Sequence, residues 1–136
     1  MKSEHTRRII MSVRPIDPVI ARKIDSIDFT LAKQRLMDPK LGYGWSATKA
    51  DNEIAKYRNF LKLASSGMSV VPTKDCDLVW HTCILDTETY ARTCQEVFGY
   101  FLHHRPYMED KQLKKNWENT NKAYEATFGE TYSKKR

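Results

Sequence analysis

Apolar residues recur at helical spacing through most of the chain. Ile20, Ile24, Ile27 and Leu31 fall three or four apart, the interval that lines one face of a 3.6-residue helix. Asp17 followed by Pro18 opens that stretch, because an Asp side chain can accept from exposed amides and Pro is tolerated in the first turn. Asp38-Pro39 should stop it. A turn-rich link, Gly42-Tyr43-Gly44-Trp45, comes next, and Ser46 or Thr48 can cap a second helix. Ile54, Tyr57, Phe60, Leu61 and Ala64 form its buried stripe, and Ser65-Ser66-Gly67 ends it. Met68 to Val71 reads as extended before Pro72.

Asp75 to Leu85 is apolar nearly all round, with Leu78, Val79, Trp80, Ile84 and Leu85, so this third helix should sit centrally. Asp86 can cap a fourth helix carrying Tyr90, Cys94, Val97 and Phe98 on one face, with Gly99 placed to end it. The last helix, Asp110 to Phe128, sets Leu113, Trp117, Tyr124 and Phe128 against Lys111, Lys114, Lys115 and Lys122, and Gly129 closes it. The pattern predicts an all-α fold: a compact single-domain bundle of about five helices over residues 17–132, with little or no sheet. A basic N-terminal arm, 1–16, carries one apolar patch at Ile9-Ile10-Met11 and either frays or packs onto the domain; a basic tail, 133–136, ends the chain.

Composition narrows the setting. A chain of 136 residues can bury a sizeable core without disulfides. No apolar run approaches the ~18–20 residues of a membrane span, and Ile9 to Met11 is too short for a signal sequence. The three cysteines, Cys76, Cys83 and Cys94, are odd in number and form no Cys-x-x-Cys pair, so they read as small packing residues in a reducing cytosol. A cytoplasmic protein with no membrane association follows as the expectation. The net charge of +6 would attract an acidic partner, such as nucleic acid, an anionic membrane surface or an acidic protein, and does not choose among them. Its carriers, including Arg22, Lys23, Lys33, Arg35, Lys56, Arg58 and Lys62, are dispersed as on solvated helix faces.

The chemistry concentrates in the third helix. Asp77 and His81 are four apart, which brings a carboxylate and an imidazole onto one face about 5–6 Å apart at Cβ. Such a pair can orient the ring for metal binding or proton transfer, given a third group. His103 and His104 could fold back beside His81, and Cys83 or Cys94 could add a soft ligand suited to zinc. The candidate pocket is therefore Asp77, Trp80, His81, His103 and His104, and the candidate metal ligands are His81, Cys83, His103 and His104. His81 and Cys83 are two apart, so a regular helix points them in different directions. The plain alternative is an Asp77–His81 hydrogen-bonded pair that specifies helix packing. In that case one of His103 and His104 caps carbonyls at the fourth helix's end and the other faces solvent.

The string Val-Pro-Thr-Lys-Asp-Cys-Asp-Leu-Val-Trp-His-Thr-Cys-Ile-Leu-Asp-Thr at 71–87, with Tyr90, Cys94, Phe98-Gly99, Leu102-His103-His104-x-Pro106 and Tyr124-Glu125-x-Thr127-Phe128-Gly129, resembles the glycine-rich domain-containing protein-like family over roughly residues 53–129. Only the helical core module is matched, because five glycines make no glycine-rich tail. The family's motif reads Trp-His-x-His, and Cys83 stands here at the second histidine, keeping a zinc ligand and removing a base. The resemblance implies an all-helical fold and a candidate pocket rather than a particular reaction. Three function classes follow: a helical binding module engaging a protein or nucleic-acid partner, a zinc-dependent hydrolase using Asp77, His81, Cys83, His103 and His104, and a small inhibitor or adaptor. Zinc is the candidate cofactor.

Overall fold

The helix that the others pack on is α3, Ala47–Ser65, capped at its start by the Ser46 hydroxyl, which accepts from Lys49 N. Around it, in the computed structural model, which describes residues 15–105 and 108–133, lie α1 (Pro18–Asp25), α2 (Thr30–Met37), α4 (Lys74–Leu85), α5 (Thr87–Phe98) and α6 (Asp110–Phe128). The described residues contain no strand, so the fold is all-α. Helices α1, α2, α4 and α6 contact α3, while α5 closes against α4 and α1. Ile54, Tyr57 and Phe60 of α3 meet Val79 and Trp80 of α4 and Tyr90, Cys94 and Val97 of α5 in the main core. A smaller cluster of Leu63, Tyr124 and Tyr132 holds α6. Among the described residues, no helix is long and apolar enough to cross a membrane. Of the expected arm, residues 1–14 lie outside the described residues, as do 134–136 of the expected tail.

Where about five helices were expected, six are observed among the described residues, because the stretch after Asp17 breaks in two. Asp17 caps α1 as anticipated, accepting from Val19 N at 2.8 Å. The break at 26–29 has two causes. Asp28 Oδ1 accepts from Thr30 N at 2.9 Å and Thr30 Oγ1 at 2.6 Å, a local arrangement that competes with continuing the helix. The Arg58 guanidinium then donates to the carbonyls of Ile24 (2.7 Å), Asp25 (3.2 Å) and Ile27 (2.9 Å), acceptors that a further helical turn would otherwise use. The change of direction sets a half-buried Phe29 edge-on against Tyr57 and leaves Leu31 exposed, against the single apolar stripe read from the sequence.

Between α2 and α3 the chain folds tightly on itself. Asp38 accepts from Lys40 N and Leu41 N, and Gly42 passes so close to Arg35 O that a Cβ there would lie 1.6 Å from it. The segment 66–73 carries no regular structure and is held instead by side chains. Thr120 Oγ1 accepts from Val71 N, while Tyr132 Oη accepts from Thr73 N and donates to Val71 O. That anchorage sets the start of α4, whose first turn is capped by the Thr73 hydroxyl accepting from Cys76 N. Gly99 and Gly129, both left-handed, end α5 and α6.

A candidate metal centre on α4

Helix α4 turns Val79 and Trp80 into the core, so Asp77 and His81 emerge together on its outer side. After Gly99 ends α5, the segment 100–105 runs back across α4 and delivers His104. Its Nε2 donates to Asp77 Oδ1 at 2.5 Å, since a carboxylate can only accept. The His81 ring stands edge-on to His104, centroids 5.7 Å apart. One ligand atom from each of Asp77, His81 and His104 lies within 4.8 Å of the other two.

Trp80 organises this meeting from below. Its ring lies 4.3 Å from that of His104, and its indole N–H donates to Tyr90 Oη at 2.9 Å. Tyr90 in turn donates to Leu102 O at 2.5 Å, fixing the backbone two residues before His104. Burial raises the Tyr90 phenol well above its ordinary range, so it stays a donor. The sequence reading placed Tyr90 only on a core face. The signal for its role was the buried indole N–H of Trp80, which needs an acceptor.

Of the predicted site residues, Asp77, Trp80, His81 and His104 come together. The direct partner of Asp77 is His104 rather than His81. Neither histidine after α5 caps that helix's carbonyls in the described structure: Gly99 N–H closes them onto Cys94 O and Gln95 O. His103 is exposed, its ring 4.8 Å from that of Phe101, and it does not join the three converging ligands.

Cys83 also stands apart. It lines the groove between α2 and α5 beside the Tyr57 hydroxyl, and burial pushes its thiol up to about 12. Two residues beyond His81, it has rotated to the far side of α4, the divergence expected of a regular helix. Cys76 and Cys94 are core, as their size suggested. Iodoacetamide at pH 8 should therefore label Cys83 more than about 100-fold more slowly in the native protein than in denaturant, because the thiolate is the reacting form. Labelling at the denatured rate would return Cys83 to the surface and to the list of ligands.

The donor set suits a divalent transition ion. Two imidazole nitrogens and a carboxylate oxygen are borderline ligands typical of zinc or iron. Asp77, His81 and His104 would hold such an ion by drawing together from their present separations of up to 4.8 Å. Small side-chain rotations at the surface supply such shifts. With no ion present, the hydrogen bond between His104 and Asp77 satisfies both groups, and an ion held there would take its place.

A family model described as UCP032817-like matches residues 30–131. The chain belongs to the UCP032817-like family. Two curated relatives from Arabidopsis thaliana agree with it. Glycine-rich domain-containing protein 2 is 29% identical over 136 aligned residues, 88% of this chain and 17% of the relative. Glycine-rich domain-containing protein 1 is 32% identical over 91 residues, 60% of this chain and 11% of the relative. The chain thus spans less than a fifth of either relative's length. The UCP032817-like match begins at α2 and so reaches well before residue 53, where the resemblance read from the sequence started. No solved structure matches the chain.

Proposed function

We propose that this helical module binds a divalent transition ion, zinc being the best fit, through Asp77, His81 and His104, and uses it for hydrolytic chemistry. The convergence of those three ligand atoms within 4.8 Å carries the reading. Three protein ligands are the number found in catalytic zinc sites, where a closed structural site has four. A bound zinc supplies a Lewis acid and an acidified water. Within the chain, Asp77 and His104 arrive as a pre-formed pair, His81 completes the set from the solvent side, and the Trp80 ring excludes water from beneath His104. The compartment we propose is the reducing cytosol, supported by three free thiols.

Purified, tag-free protein should carry or take up about one zinc per chain by elemental analysis. Saturating zinc at 100 times Kd should raise Tm by roughly 8–12 °C. His81→Ala, at an exposed position, should lower zinc affinity at least 100-fold while leaving the metal-free Tm unchanged. Wild-type protein that neither retains zinc nor shifts in Tm at micromolar zinc would end the metal reading. Zinc binding without turnover of p-nitrophenyl esters or phosphates would end its hydrolytic part alone.

A further inference from the structure

An open groove of about 1060 Å³ lies between α2, the turn after it, the end of α4 and α5, and none of the three converging ligands Asp77, His81 and His104 lines it. Leu31 of α2, Leu41 of the turn and Leu85 at the end of α4 line it while 76%, 67% and 69% exposed, more than any other large apolar side chain among the described residues. Leucines from three separate elements on one groove form a patch, which marks an interaction site where scattered ones would not.

The shape favours a helix as occupant. A small molecule is held by walls that bury roughly 70–90% of its surface, and leucines this exposed would stay wet around one. A helix is about 10–12 Å across with its side chains and presents apolar residues at three- and four-residue spacing, so one laid along the groove covers all three elements.

The polar lining sets the sign of that helix. In a chain of net charge +6, the groove gathers Asp28, Asp38 and Asp86 against Arg35. Local hydrogen bonds fall on Oδ1 of each, from Thr30, from the Lys40 and Leu41 amides and from the Thr89 amide, so the second oxygen can meet an incoming cation. The same bonds hold Asp28 and Asp38 below the ordinary carboxylate range, so both are charged at neutral pH. Nucleic acid or an anionic lipid surface would meet these aspartates with like charge. A second copy docked groove to groove would do the same, three aspartates facing three. We propose that the groove receives a basic amphipathic helix of a partner protein, its apolar face on Leu31, Leu41 and Leu85 and its flanking lysines or arginines on Asp28, Asp38 and Asp86. The proposal does not depend on the metal centre.

Two labelled model peptides of about 14 residues test it by fluorescence anisotropy against the full-length chain: LKKLLKLLKKLLKL and its acidic counterpart LEELLELLEELLEL. The net charge of the chain favours the acidic peptide, so preference for the basic one reports the groove. The basic peptide should bind with a Kd of roughly 10–100 µM and at least 10-fold more tightly than the acidic one. Leu31→Ser with Leu85→Ser, both at exposed positions, should weaken it at least 10-fold with Tm unchanged. Asp28→Asn, Asp38→Asn and Asp86→Asn together keep the side-chain acceptors of the turns, and should cut the preference for the basic peptide to below about threefold. No binding, equal or tighter binding of the acidic peptide, or affinity insensitive to the two serines would each overturn the proposal. So would a concentration-dependent dimer that the serines abolish, which would assign the groove to a second copy.

Discussion

Trp80→Ala should destabilise the domain by about 3–5 kcal/mol, the range for removing a buried aromatic side chain, and lower Tm by roughly 10–20 °C. The size of the effect follows from the ring's position. It is 5% exposed, packs 5.0 Å from Phe60 in the middle of the core and lies under His104, so its loss opens a cavity between α3, α4 and the 100–105 segment. Its indole N–H also holds Tyr90, the donor to Leu102 O. Trp80→Phe separates these roles. It keeps most of the ring but removes the donor, and should cost about 1–2 kcal/mol, with zinc affinity falling alongside as the segment carrying His104 loosens. A chemical-denaturation loss below 1 kcal/mol for Trp80→Ala would contradict this placement of the ring. Unchanged zinc affinity in Trp80→Phe would remove the link from Trp80 through Tyr90 to His104.

Arg58→Ala is the second large effect, expected at about 3 kcal/mol. Three carbonyls at the α1–α2 break depend on one guanidinium, and hydrogen bonds to a charged donor contribute more than neutral ones. The same group lies 4.6 Å from the centre of the Phe29 ring. Arg58 is half-buried, and desolvation lowers its pKa somewhat, offsetting part of the gain. Arg58→Lys cannot reproduce the fork that reaches all three carbonyls, and should recover less than half of the loss. If Arg58→Ala unfolds with the wild-type midpoint, the α1–α2 turn is held by Asp28 and Phe29 alone.

These two residues mark where reading along the chain stopped being enough. Helices α3, α5 and α6 were legible because each carries a long amphipathic stripe with a local end signal: Ser46, Asp86, Gly99 and Gly129 act within their own turns. The cores around Tyr57, Phe60, Tyr90 and Tyr124 followed from the same periodicity. The polar pair on α4 could be singled out, since a four-residue spacing on a helix fixes which side chains share a face. Family membership was also readable, in the run from Val71 to Thr87 and the residues that follow.

What spacing could not supply was any contact made between segments distant in the chain. The break after Asp25 depends on Arg58, 33 residues away, so the stripe from Ile20 to Leu31 looked like one helix. The pairing of Asp77 with His104, 27 residues apart, is decided by where Gly99 turns the chain and where Tyr90 pins it. Cys83 and His103 carried suitable chemistry, yet one rotates beneath α4 and the other points to solvent. The sequence by itself determined the helices, their buried faces and the residue types of the site. Only the tertiary structure decided which of those residues meet, because long-range packing, and not local propensity, sets the direction of each side chain between elements.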